Sequence, residues 1–302
     1  SSAASDVYKR QMKDISVKAL AKINLGLDVV RKREDGYHEV RMVMQTIHLF
    51  DRLEISKNTS GEITMETNLS FLPTNENNLV YKAAKLLQDE FAIKDGVHVW
   101  LHKYIPVAAG MAGGSTDAAA VLYGMNQIFD LGLTREELME RGVKIGADVP
   151  YCIMRGTALA EGIGEKLSKL PPMVKCPVLI AKPQISVSTK FVYENLKLGS
   201  DMVHPDIDRL VADIREKDLY KIAADMGNVL ETVTIPAYPV IADIKDHMME
   251  HGAVNAMMSG SGPTVFGLFD KEATAVEAYE AMKAFGLAKQ VYLTSIYNNA
   301  RK

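Results

Sequence analysis

The stretch Pro106-Val107-Ala108-Ala109-Gly110-Met111-Ala112-Gly113-Gly114-Ser115-Thr116-Asp117 constrains this chain more than any other. Upstream of it, Val97, Val99 and Leu101 alternate with His98, Trp100 and His102, the pattern of a half-buried strand. Downstream, Ala118, Leu122, Met125 and Phe129 recur at helical spacing. The sequence therefore predicts strand, small-residue loop, helix. Side chains this small let a ligand approach the backbone closely. Ser115, Thr116 and Asp117 are candidate caps for the helix, whose free N–H groups and positive dipole end would face the loop. That geometry suits phosphate, and a loop that only joins two elements would fit the same residues.

A chain of 302 residues with 47% hydrophobic content can hold one large domain or two ordinary ones. The net charge of -3 and the lack of a dense basic run argue against a nucleic-acid partner, so any phosphate site must be local. Cys152 and Cys176 form no metal or redox spacing and fit a reducing, cytoplasmic setting. The seven histidines include no HExxH, and no apolar run is long enough to span a membrane. Residues 1–11 lack core periodicity and a signal-peptide core; they are expected to be a non-native or disordered tail before Met12.

Along the chain, Ile15 to Val30 reads as a strand with Lys22, Asn24 and Asp28 on its polar face. Lys22 alone could be a solvated strand lysine, but its neighbours Ala21 and Gly26 are small enough to admit a ligand. Asp35-Gly36 is a turn signal, with Tyr37 and His38 directly after it. Asn78 is the expected cap of an amphipathic helix from Leu79, and Thr134 with Glu137 forms a capping box. In Gly146-Ala147-Asp148-Val149-Pro150, Asp148 is either a plain turn residue or a carboxylate held on a tight turn; Pro150 predicts an extended Val149, then strands at 151–154 and 157–162. Leu170-Pro171-Pro172 marks a candidate boundary between domains at 12–170 and 171–302. Without its extra helices, the second half reads β-α-β-β-α-β, the ferredoxin-like order. Its middle strands are joined by Ser259-Gly260-Ser261-Gly262-Pro263-Thr264, a second small-residue loop or a plain hairpin turn.

Ala21-Lys22-Ile23-Asn24, the loop from Pro106 to Ala120, and Ser259 to Thr264 occur in the order and spacing of the three motifs of the GHMP kinases. These are ATP-dependent small-molecule kinases named for galactose, homoserine, mevalonate and phosphomevalonate. The chain resembles this family over Met12–Ile296. Asp35-Gly36-Tyr37-His38 and Gly146–Pro150 are similar to the branch that acts on 4-diphosphocytidyl-2-C-methyl-D-erythritol, in the non-mevalonate isoprenoid route of bacteria and plastids. The resemblance implies an α+β fold, with an N-terminal domain like the second domain of ribosomal protein S5 and a ferredoxin-like C-terminal domain. It implies ATP, accompanied by Mg²⁺, and a cytidine-diphosphate acceptor as the ligands, in a cytoplasmic bacterial monomer or homodimer.

The same resemblance implies roles. Lys22 and Asp148 would stand at the transfer point, Asp148 taking the acceptor proton and Lys22 favouring its carboxylate. Residues from Pro106 to Thr116, with Asn78 and Lys103 near the base, would bind ATP, and Ser115 or Thr116 would reach Mg²⁺. Asn24, Tyr37, His38, Thr189, Tyr193, Gly260, Ser261 and Gly262 would line the acceptor site, Tyr37 and Tyr193 forming an aromatic sandwich around cytosine. A homoserine or mevalonate kinase is the nearest alternative, though those acceptors offer no base to stack. A dinucleotide oxidoreductase and a P-loop NTPase are disfavoured, because neither G-x-G-x-x-G nor G-x-x-x-x-G-K-[ST] occurs. A non-catalytic protein-binding module would require Lys22 and Asp148 to be remote from each other.

Overall fold

The computed structural model describes residues 14–199 and 201–299. The predicted tail at 1–11 lies outside them. The first sheet has seven strands: β1 (Ile15–Lys32), β2 (His38–Asn58), β3 (Ile63–Thr67), β4 (Gly96–His102), β5 (Thr157–Glu161), β6 (Lys166–Lys169) and, from much later in the chain, β8 (Gly227–Asn228). The second is an antiparallel sheet of β7 (Pro177–Pro183), β9 (Asn255–Met258), β10 (Val265–Leu268) and β11 (Ala288–Ser295), in the order β11-β7-β10-β9. That order is the ferredoxin-like one read from the sequence. Ten helices are described: α1 (Leu79–Glu90), α2 (Gly113–Ile128), α3 (Arg135–Val143), α4 (Val149–Met154), α5 (Thr189–Asn195), α6 (Ile207–Glu216), α7 (Leu219–Ala224), α8 (Glu231–Ala237), α9 (Val240–Glu250) and α10 (Glu272–Phe285).

The long pair β1 and β2 is the backbone of the first sheet. Residues 19–29 of β1 are buried without a break, which puts its nominally polar face inside the protein as well. The β1–β2 ladder is irregular between Leu20 and Lys22 and again between Asn24 and Gly26. Bulges of this kind re-aim side chains, and these two bracket Lys22 and Asn24. At the first, the Leu20 carbonyl accepts the Thr116 hydroxyl from α2 at 2.8 Å. One core cluster is built around α2 and the first sheet; a second joins Ile23 and Leu25 of β1 to Val178, Ile180 and Phe266 of the other sheet.

Several local expectations hold. Asn78 caps α1, its side-chain oxygen accepting the Val80 N–H at 2.9 Å, and the Thr134–Glu137 capping box is present. Two are corrected. Residues 151–154 are helical, because Pro150 sits in the first turn of α4, where a missing N–H costs nothing and its fixed φ suits a helix. The start of α2 has no side-chain cap at all. Its N-cap is Ala112, in the left-handed region at φ 55°; Thr116 and Asp117 face the interior instead.

Candidate active site

The loop between β4 and α2 crosses the loop between β9 and β10. Gly110 is the crossing point: a Cβ there would lie 2.0 Å from the Ser259 carbonyl oxygen. The Gly110 carbonyl accepts the Ser259 hydroxyl at 2.9 Å and the Lys22 ammonium at 3.2 Å. Lys22 also donates to the Asn24 side-chain oxygen at 2.6 Å, and both side chains are buried, Lys22 at 5% exposure and Asn24 at 0%. A Cβ on Gly260 would fall 3.3 Å from the Gly110 carbonyl oxygen and 3.6 Å from the Asn24 oxygen. The three separate motifs therefore meet at one point.

Asp148 is half-buried at the N-cap of α4 and makes no capping bond with its side chain. Its carboxylate and the Lys22 ammonium both act on the thiol of Cys152, one turn further on. Burial pushes that thiol well up, the Asp148 charge adds to the rise and Lys22 opposes it. Asp148 also adds to the rise of the Tyr193 phenol, which burial lifts to about 12. The Tyr193 ring packs 5.0 Å from the His38 ring, at 40°. Burial, with the Lys32 charge adding to it, holds His38 below the ordinary imidazole pKa. The aromatic contact is thus between His38 and Tyr193. Tyr37, at the preceding turn, is 59% exposed.

A cavity of about 310 Å³ opens beside the crossing loops. Pro106 to Gly110 and Ala112 to Ser115 line it. Asn78, Lys103, Thr189, Ser261 and Gly262 complete the lining, and the Thr189 and Ser261 hydroxyls lie 2.9 Å apart. Met111 and Thr116 do not reach it: Met111 is buried in the core, and the Thr116 hydroxyl is committed to Leu20. The uncapped first turn of α2 leaves backbone N–H groups free for an anion at this wall. These features fit a nucleotide phosphate chain. Of the two hydroxyls considered for Mg²⁺, only Ser115 is on the cavity wall.

Beneath the cavity lies a buried charge cluster. Lys103 donates to Asp51 and, at 2.8 Å, to Asp117. Asp51 also accepts the N–H groups of Tyr104 and Ile105, at 2.6 and 2.8 Å, and so fixes the strand end that leads into the glycine-rich loop. Burial lowers the Lys103 pKa, but the two carboxylates outweigh it and the net shift is upward. One ammonium cannot offset two carboxylates. Burial drives Asp117 well above the usual carboxylate range; Lys103 opposes this and Asp51 adds to it. Sequence reading missed Asp51 and took Asp117 for a helix cap. The available signal for Asp51 was an aspartate inside a strand, a residue type depleted there. It also missed Asn228 of β8, whose amide donates to the carbonyls of Met258 and Gly260 at 2.9 and 2.8 Å and holds the second loop.

Two crossed small-residue loops over a split β-α-β fold define a class, the GHMP kinases. The family models described as GHMP kinases N terminal domain and GHMP kinases C terminal match residues 78–156 and 210–288. Among solved structures, a crystal structure of 4-(cytidine 5'-diphospho)-2C-methyl-D-erythritol kinase superposes with a TM-score of 0.82 at 29% identity, covering 94% of this chain and 100% of that one. A homoserine kinase from Cytophaga hutchinsonii shares the fold, with a TM-score of 0.76 at 21% identity, covering 94% of this chain and 95% of its own. The 4-diphosphocytidyl-2-C-methyl-D-erythritol kinase of Lachnospira eligens is 57% identical over 95% of this chain and 99% of that protein. The enzyme of the same name from Acetivibrio thermocellus is 51% identical over 90% of this chain and 96% of its own length. The chain belongs to the 4-diphosphocytidyl-2-C-methyl-D-erythritol kinase family.

Proposed function

We propose that this chain transfers the γ-phosphoryl group of ATP to the 2-hydroxyl of 4-diphosphocytidyl-2-C-methyl-D-erythritol, a step of non-mevalonate isoprenoid synthesis in the bacterial cytoplasm. The observation that carries the reading is the meeting of Lys22, Asn24, Gly110 and Ser259 where the two small-residue loops cross, with Asp148 at the start of α4, the helix that packs against β1 and α2. The acceptor oxygen bonds to the γ-phosphorus, the bond to the β–γ bridging oxygen breaks, ADP leaves, and the hydroxyl proton passes to Asp148. General-base help of this kind is worth about 10²–10⁴-fold in rate. Lys22, held by Asn24 and the Gly110 carbonyl, is pre-set to offset charge on the phosphoryl oxygens as they move. Mg²⁺ brought with the nucleotide would neutralise phosphate charge, with Ser115 as its protein ligand.

Tyr193 feels the Asp148 charge and its ring packs on that of His38, so an acceptor whose base rests against this pair would have its reacting hydroxyl delivered toward the carboxylate. Tyr37, exposed at the turn, covers the outer face of that base. Gly260, Ser261 and Gly262 offer backbone groups to the acceptor's phosphates. The direct experiment supplies ATP with 4-diphosphocytidyl-2-C-methyl-D-erythritol, homoserine or mevalonate in turn and measures ADP. Turnover with the cytidine compound alone is expected; turnover with either of the others in its place would refute the assignment. Asp148→Ala should abolish turnover while ATP still binds, and a near-normal kcat would remove it as the base.

A further inference from the structure

Away from the loops, the end of α9 gathers three potential metal ligands at i, i+3 and i+4: His247, Glu250 and His251. None of them lines the nucleotide cavity. Their ligand atoms all lie within 4.8 Å of one another. The His247 ring is fixed by stacking flat on Phe285 of α10, with centroids 4.0 Å apart at 5°. The His251 ring stands 4.2 Å from it, tilted by 40°.

The hydrogen bonding sets the chemistry of both rings. His251 Nδ1 lies 2.8 Å from the His247 carbonyl oxygen, which can only accept. Nδ1 therefore carries the proton, and Nε2 of the neutral ring keeps its lone pair. A backbone carbonyl holding one imidazole nitrogen in this way is the usual support behind a metal-bound histidine. His247 Nε2 is shielded from solvent and has no hydrogen-bond partner. Buried imidazole nitrogens ordinarily find one. The site also lies at the C-terminal end of a helix, where the dipole favours a cation.

We propose that His247, His251 and Glu250 form a site for a borderline divalent transition ion of the Zn²⁺ type, through two imidazole nitrogens and one carboxylate, with the fourth position left to water. Tetrahedral zinc with bonds of about 2.0–2.1 Å needs ligand atoms about 3.4 Å apart. The stacked His247 is the fixed ligand. Glu250 is exposed, so its side chain is free to swing in and close the set. All three ligands come from one helical turn. The ion would clip the end of α9 and serve stability, leaving phosphoryl transfer to the distant loops.

The test uses full-length protein without a histidine tag, stripped with chelator and titrated with Zn²⁺ against a chromophoric zinc indicator; Co²⁺ substitution reports the ligand geometry by its visible spectrum. One equivalent should bind. His251→Gln and His247→Ala should each weaken binding at least about tenfold, and Glu250→Gln should weaken it less. ADP formation with Mg²⁺ and ATP should be unchanged in all three. Since His247→Ala also removes the stack on Phe285, circular dichroism of that variant is read alongside, and His251→Gln decides if it misfolds. Absence of stoichiometric zinc binding, or binding unchanged in the His247→Ala/His251→Gln double variant, would overturn the proposal.

Discussion

Replacing Gly110 by alanine tests whether the loop crossing organises the site. Gly110 has φ +71°, a conformation that costs an L-residue about 1–2 kcal/mol. The new methyl would also stand 2.0 Å from the Ser259 carbonyl oxygen and 3.3 Å from the Gly262 nitrogen, both backbone atoms. Carbon and oxygen approach no closer than about 3.3 Å in ordinary contacts, so the two loops must part by roughly 1 Å. Parting them loosens the bonds that the Gly110 carbonyl accepts from Ser259 and Lys22. A neutral bond is worth about 0.5–1.5 kcal/mol and a charged one about 1.5–3 kcal/mol. The combined penalty is roughly 3–6 kcal/mol, or about 10²–10⁴-fold in kcat/KM for ATP.

The control lies in the same loop. Ala108 and Ala112 already sit at φ 50° and 55°. Glycine there relieves the left-handed penalty while adding about 0.5–1 kcal/mol of unfolded-state entropy, so Ala108→Gly and Ala112→Gly should be neutral or mildly stabilising. Steady-state kinetics with ADP detection, paired with urea unfolding, separates a misplaced loop from a misfolded protein. Gly110→Ala within threefold of the parent, or greater damage from the two glycine substitutions, would refute the reasoning.

Three further outcomes are expected. Lys103→Met leaves Asp51 and Asp117 buried without their cation and should lower the unfolding free energy by about 3–5 kcal/mol, read by urea titration; a loss under about 1 kcal/mol would show that water reaches the cluster. His38→Ala should raise KM for the cytidine acceptor and leave KM for ATP unchanged, and equal effects on both would place His38 outside the acceptor pocket. Asp213 has its pKa raised, first by a shared hydrogen bond with Asp225, then by burial and the Asp225 charge. A carboxyl raised on folding contributes stability at low pH that is lost as pH rises from about 4 through the elevated value. Unfolding midpoints of the parent should therefore fall relative to Asp213→Asn over that rise, and parallel curves would show that no proton is shared.

The stretches legible in the sequence were those whose physics is local. The strand–loop–helix around Gly110 was readable from two periodicities and a run of small residues, as were the Asn78 cap and the capping box at Thr134. The misread caps share a cause, partners elsewhere in the chain. Ser115, Thr116 and Asp117 look like caps, yet the Thr116 hydroxyl is drawn to Leu20, 96 positions earlier, and Asp117 to Lys103, itself shared with Asp51. Pro150 was read as keeping Val149 extended, whereas Val149 opens a helix with the proline in its first turn. The strand at Gly227–Asn228 is two residues long and carries no period to detect.

That short strand bears on how the protein can move. Gly227 and Asn228 run alongside Gly26 and Leu27, and the Asn228 amide reaches onward to the Met258 and Gly260 carbonyls. A fragment ending at Leu170 would therefore leave one border of its sheet bare just beyond Asn24. The intact chain is tied from β1 through Asn228 to the loop between β9 and β10, which resists parting of the two sheets. A protease should nick the exposed turn at Tyr37 before it separates them.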